Sequence, residues 1–192
     1  MAHGFGSTAT YQFYRTERWL GRLKAIYGGD FQPIGNWDDP LDHVLAFFFN
    51  CHHVKDWLMT GSEWQDEVAP KVKKMAVEQF ISESEALSIC ADLCNGNKHF
   101  RLDKEPRSGN TPIFHSKNTK IDTTTGPLII ATRYTFRTVR GDTDAYALAE
   151  ECFEDWRNFI RESTPESLET LASRYPKYHP AGSTTQQSRG RK

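Results

Sequence analysis

One stretch of this chain constrains its fold more than any other. Residues 40–59, PLDHVLAFFFNCHHVKDWLM, carry apolar side chains at Leu41, Val44, Leu45, Phe47, Phe48, Phe49, Cys51, Val54, Trp57 and Leu58. Placed at about 100° per residue, these wrap most of the circumference, so the segment reads as a helix that other elements surround. Its start is marked twice: Asp39 can cap, and Pro40 fits the first helical position, where a missing N–H costs nothing. A helix of this kind must be enclosed, and the rest of the chain reads as the enclosure.

A first helix is expected over about 10–27, with Phe13, Leu20, Leu23 and Ile26 as its apolar stripe, Gly21 weakening its middle and Gly28-Gly29 stopping it. After Pro70 a helix is expected over about 72–81. A second follows over about 84–100, its start placed at Ser82 and Glu85, which stand at capping-box spacing. The two should meet at a corner. The period then changes: PLIIATRYTFRTV, 127–139, alternates β-branched and aromatic residues and reads as a strand, with its partner in 112–121. Gly141 to Asp144 turns the chain and caps a last helix through about Ile160, striped by Tyr146, Ala149, Cys152, Phe153, Trp156, Phe159 and Ile160. The expected fold is mainly α, a bundle of about four to five helices with a small β-hairpin inserted before the last long helix. One domain should cover 1–162, with 163–192 a largely disordered tail that is polar and basic.

At 192 residues the chain suits one core, and twelve Phe, five Trp and seven Tyr can fill it. The formal net charge of -1 supplies no global field for nucleic acid or an anionic membrane, so any such contact has to be local. The first residues lack the apolar core of a signal peptide and no apolar run is long enough to span a bilayer, which gives the expectation of a cytoplasmic protein without a membrane partner. The four cysteines lie in helical segments without a CxxC pair and read as reduced core thiols; Cys90 and Cys94, one turn apart, read as packing and not as ligands. Phosphate loops, dinucleotide fingerprints, the GxSxG elbow and HExxH are all absent from the sequence, which argues against the chemistries they serve.

Two segments hold the candidate chemistry. On the 84–100 helix Ser88, Asp92, Asn95 and His99 fall in one narrow arc, either a solvated face or a site in which His99 moves protons. On the central helix His52, His53, Lys55 and Asp56 put ionisable groups where apolar neighbours predominate, which requires partners or a cleft. A His52–Asp56 pair across one turn would satisfy part of that need; the alternative is that this turn faces His99. Together the segments offer groups able to position a ribose hydroxyl, exchange its proton and neutralise a phosphate, with no metal or other cofactor expected. Arg133 and Arg137 share one strand face and, with Arg101 in the loop after the helix, are candidate substrate contacts.

The helical arrangement, with NGNKH closing a long helix and EDWRNFI ending a later one, resembles the HEPN superfamily of prokaryotic helical domains. The resemblance implies a metal-independent ribonuclease acting in defence or toxin-antitoxin systems, with His99 as the catalytic residue and Asn95 as the polar residue of the motif. Cys94 stands where the family's Arg is expected, so Lys98 or Lys55 would have to serve the phosphate, with Asp92 tuning the charge. It also implies RNA as substrate, a protein partner such as an antitoxin, and a homodimer. The other reading is a non-catalytic helical module that binds a protein or nucleic-acid partner.

Overall fold

The computed structural model describes residues 9–31, 38–60, 74–98, 105–124 and 129–163, without the side chains of residues 60, 74–75 and 97–98. Among the described residues five helices occur in the order α1 (Ala9–Gly28), α2 (Pro40–Thr60), α3 (Lys74–Glu83), α4 (Glu85–Lys98) and α5 (Ala145–Ser163). Between α4 and α5 the described residues form three strands, β1 (Ile113–Asp122), β2 (Ile129–Thr138) and β3 (Gly141–Asp144). The fold is mainly α with a β-hairpin before the last helix, as expected. The expected tail begins at Ser163, and 164–192 lie outside the described residues, as do the first residues expected in the strand and in the helix after Pro70.

The enclosure of α2 is literal. It packs against α1, α3, α4 and α5, and Val44, Phe47, Cys51 and Val54 are fully buried along it. Its cap forms as read: Leu41 N–H donates to Asp39 Oδ1 at 2.9 Å. The corner between α3 and α4 differs from the expected one. Ser84, not Ser82, caps α4, accepting from the Leu87 N–H at 3.0 Å, while the Ser82 hydroxyl donates back to the Glu78 carbonyl at 3.0 Å. The helix before the corner runs to Glu83, and this carries Ser82 past the position where it could cap.

The sheet is antiparallel in the order β1-β2-β3, and β3 is an addition to the expected hairpin: the segment read only as turn and cap also pairs Thr135 with Asp144 and Thr138 with Gly141. Gly141 turns the chain with φ 87°, a backbone conformation open to glycine. Asp144 then caps α5, accepting from Tyr146 N–H and Ala147 N–H at 3.0 Å each. Thr132, Tyr134, Phe136 and Thr138 turn one face of β2 toward α1 and α5, and Phe136 reaches Phe48 of α2 at 5.8 Å between ring centres.

A single hydroxyl joins α1 to the sheet and to α5. Tyr27 Oη donates to the Tyr134 carbonyl at 3.0 Å and accepts from Tyr134 N–H at 3.0 Å and Tyr146 N–H at 3.2 Å. The Tyr134 amide and carbonyl lie just beyond the end of the β2–β3 ladder, so the phenol supplies what a longer β3 would have supplied. Tyr27→Phe is expected to lower stability by about 1–3 kcal/mol in urea unfolding and to accelerate hydrogen exchange at the Tyr134 amide. Unchanged exchange there would show that the clamp is not formed in solution.

Candidate nucleic-acid interface

The polar arc of α4 faces inward. Ser88 and Asp92 are 3% and 2% exposed, and neither meets solvent. Ser88 donates to the Ile81 carbonyl at 2.8 Å across the α3–α4 corner. Asp92 collects the loop after the helix: Oδ1 accepts from Arg107 N–H at 2.9 Å, and Oδ2 accepts from Ser108 N–H and the Ser108 hydroxyl at 2.7 Å each. A carboxylate engaged at both oxygens by backbone donors is an anchor for residues 105–110, and this is how its burial is tolerated. Asn95 lies half-buried one turn further on. His99 and Arg101 lie outside the described residues, and Lys98 is placed at the end of α4 without its side chain.

On α2, His52 is buried at 8% exposure. Spacing pointed to His52 as the partner of Asp56. The structure brings His53 Nδ1 to 2.7 Å from Asp56 Oδ2, an i,i+3 pair open to solvent on the flank of the helix. Lys55 extends to Glu78 of α3 at 3.6 Å, and Glu78 also receives the Arg107 guanidinium at 2.7 Å. Lys55, Glu78, Arg107 and Asp92 therefore brace α2, α3, α4 and the following loop. Partial burial resists ionisation of Glu78, but Arg107 and then Lys55 outweigh it and hold its carboxyl below the usual glutamate range.

The sheet arginines share an exposed face, as expected, but differ in what they meet. Arg137 is held by Asp142 at 2.9 Å and lies 3.0 Å from His115 Nε2, which ties up much of its charge within the sheet. Arg133 projects outward opposite Asn118.

A stronger cationic surface lies on α1, where sequence reading had looked only for a core stripe. Arg15, Arg18 and Arg22 stand at i, i+3 and i+7, and with Tyr11 and Trp19 they occupy an arc of roughly 100° on the wheel. With Trp19 and Asn50 of α2 the three arginines line an open groove of about 370 Å³. Arg15 and Arg18 lie 5.2 and 5.3 Å from the Tyr11 ring centre, and Arg22 is 4.2 Å from that of Trp19. Among the described residues no carboxylate forms an ion pair with any of the three. Asn50 is oriented by its own bond to the Ala46 carbonyl at 2.8 Å, and Gln12 donates to the Asn50 carbonyl at 2.8 Å. The RxxRxxxR spacing was the available signal, masked by Glu17 and by a net charge near zero.

Asp92→Ala should cost about 2–3 kcal/mol and open residues 105–110 to limited proteolysis; a variant as stable and as resistant as wild type would remove the anchor assignment. Because the Glu78 pKa is lowered on folding, its contribution is present above the ordinary value near pH 4.3 and is lost as pH falls through the folded value. The stability difference between wild type and Glu78→Gln, under about 1 kcal/mol for so exposed a group, should therefore be seen at pH 7 and shrink below about pH 4. No helix among the described residues is long and apolar enough to cross a membrane. Comparison of the chain with protein-family models, with curated proteins and with solved structures found no match.

Proposed function

We propose that this protein is a helical module that binds single-stranded RNA along the arginine face of α1. The observation that carries this reading is the alternation of Tyr11, Arg15, Arg18, Trp19 and Arg22 on one partly exposed face, with guanidinium groups resting on rings and unpaired with acids among the described residues. Guanidinium groups suit phosphate through paired donors, and a tryptophan or tyrosine ring offers a base a surface to stack on. From Tyr11 to Arg22 the face extends about 16 Å, room for several nucleotides of a flexible strand. A chain of net charge -1 needs a local patch of this kind to hold a polyanion.

The groups of α2 and α4 favour binding over cleavage, because Asp92 is committed to the loop and Lys55 to Glu78. A metal-independent ribonuclease with His99 as general acid or base beside Asn95, the activity that the HEPN resemblance implies, would add cleavage to the same binding. One experiment addresses both. A labelled single-stranded oligoribonucleotide is titrated in EDTA, at several salt concentrations, with wild type, with each of Arg15→Ala, Arg18→Ala and Arg22→Ala, and with His99→Ala. Each arginine variant should bind more weakly, with the slope of log K against log salt reduced by about 0.7 and thermal stability unchanged. Absence of binding by wild type, or equal binding by the variant lacking all three arginines, would sink the reading. Cleavage by wild type but not by His99→Ala would establish the ribonuclease instead.

A further inference from the structure

The core brings together three thiols from three helices: Cys51 of α2, Cys90 of α4 and Cys152 of α5, each at most 1% exposed. Their three Sγ atoms all lie within 4.8 Å of one another. Three sulfurs in a pyramid around a common ion at about 2.3 Å, with angles near about 95°, would stand roughly 3.4 Å apart, so ligation asks for a contraction of up to about 1.4 Å per pair. Cys94, one turn beyond Cys90, is outside this triangle.

We propose that Cys51, Cys90 and Cys152 form a trigonal three-thiol site for a soft trivalent ion of the arsenite class, taken up as its neutral trihydroxide. The choice of ion follows from charge. The three cysteines belong to one hydrophobic core cluster, and the ionisable groups along α5 that act on Cys152, Asp155 and Glu151, are acidic. Three thiolates around a monovalent or divalent soft ion would leave a net negative complex in that setting, at a heavy desolvation cost. Around a trivalent ion the complex is neutral. The exchange balances: arsenous acid and three Cys S–H groups give one arsenic bound to three sulfurs and three waters. Three As–O and three S–H bonds break, three As–S and three O–H bonds form, and arsenic keeps its oxidation state.

The Cys90 and Cys152 thiols reach backbone carbonyls, Phe48 at 3.5 Å and Ala86 at 3.3 Å, contacts that ligation would replace.

The test uses the full chain, reduced, with sodium arsenite as the probe. Native mass spectrometry should show one arsenic per chain, X-ray absorption should show three sulfur neighbours and no oxygen, and the melting temperature should rise. The sequence has four cysteines, so Cys94→Ala leaves only the proposed ligands, and that variant should reproduce both the stoichiometry and the three-sulfur spectrum. Cys51→Ala, Cys90→Ala and Cys152→Ala should each bind at least tenfold more weakly. The proposal is overturned if folded wild type takes up no arsenic, if oxygen remains in its coordination shell, or if Cys51→Ala binds as tightly as wild type. It is equally overturned if Cys94→Ala melts normally yet does not bind. The wild-type spectrum decides the matter even where a single variant fails to fold.

Discussion

A helix that is apolar around most of its circumference has little face to show to water, and α2 draws α1, α3, α4 and α5 around itself for that reason. Phe47 and Val54 are buried on one side of it and Phe48 about 100° further round, so covering them takes more than one partner. The sheet enters the same core through Phe136, and Tyr27 fastens it from α1. Cys51 sits midway along α2, which is why thiols contributed by α4 and α5 meet there.

This enclosure also sorts the polar groups. Those brought toward the interior become structural: Asp92 holds a loop, and Ser88 closes a corner. Lys55 and Arg107 share Glu78. Such groups combine the same residue types that catalysis uses, and their partners show that packing has claimed them. Arg15, Arg18 and Arg22 stand outside that competition, in an open groove bordered by Asn50 of α2, with aromatic rings orienting them in place of acids.

Much of the fold was legible because it is written in local terms. The Asp39-Pro40 start, the stripe of α5, the alternation of β2 and the Gly141 turn all depend on neighbours a few residues away, and all formed as read. Where two local signals competed, the reading slipped: Ser82 and Ser84 are both plausible caps, and the length of α3 decided between them. β3 was missed because four residues of Gly, Asp and Thr carry no strand periodicity and pair only because β2 is already in place.

The candidate site was less legible, and the reason is geometric. Sequence by itself determined which residues share a helix face, so Asp92 with Ser88, and Arg133 with Arg137, were grouped correctly. Whether a face meets water, a loop or another helix depends on contacts between residues far apart in the chain. Asp92 meets residues 15 and 16 positions on, and Cys51 meets sulfurs carried by two other helices. Periodicity fixes a side chain's direction about its own axis and leaves open what stands opposite; only the tertiary structure, by setting the helices against one another, decided that Asp92 is an anchor, that the arginines of α1 line an open groove and that three cysteines converge.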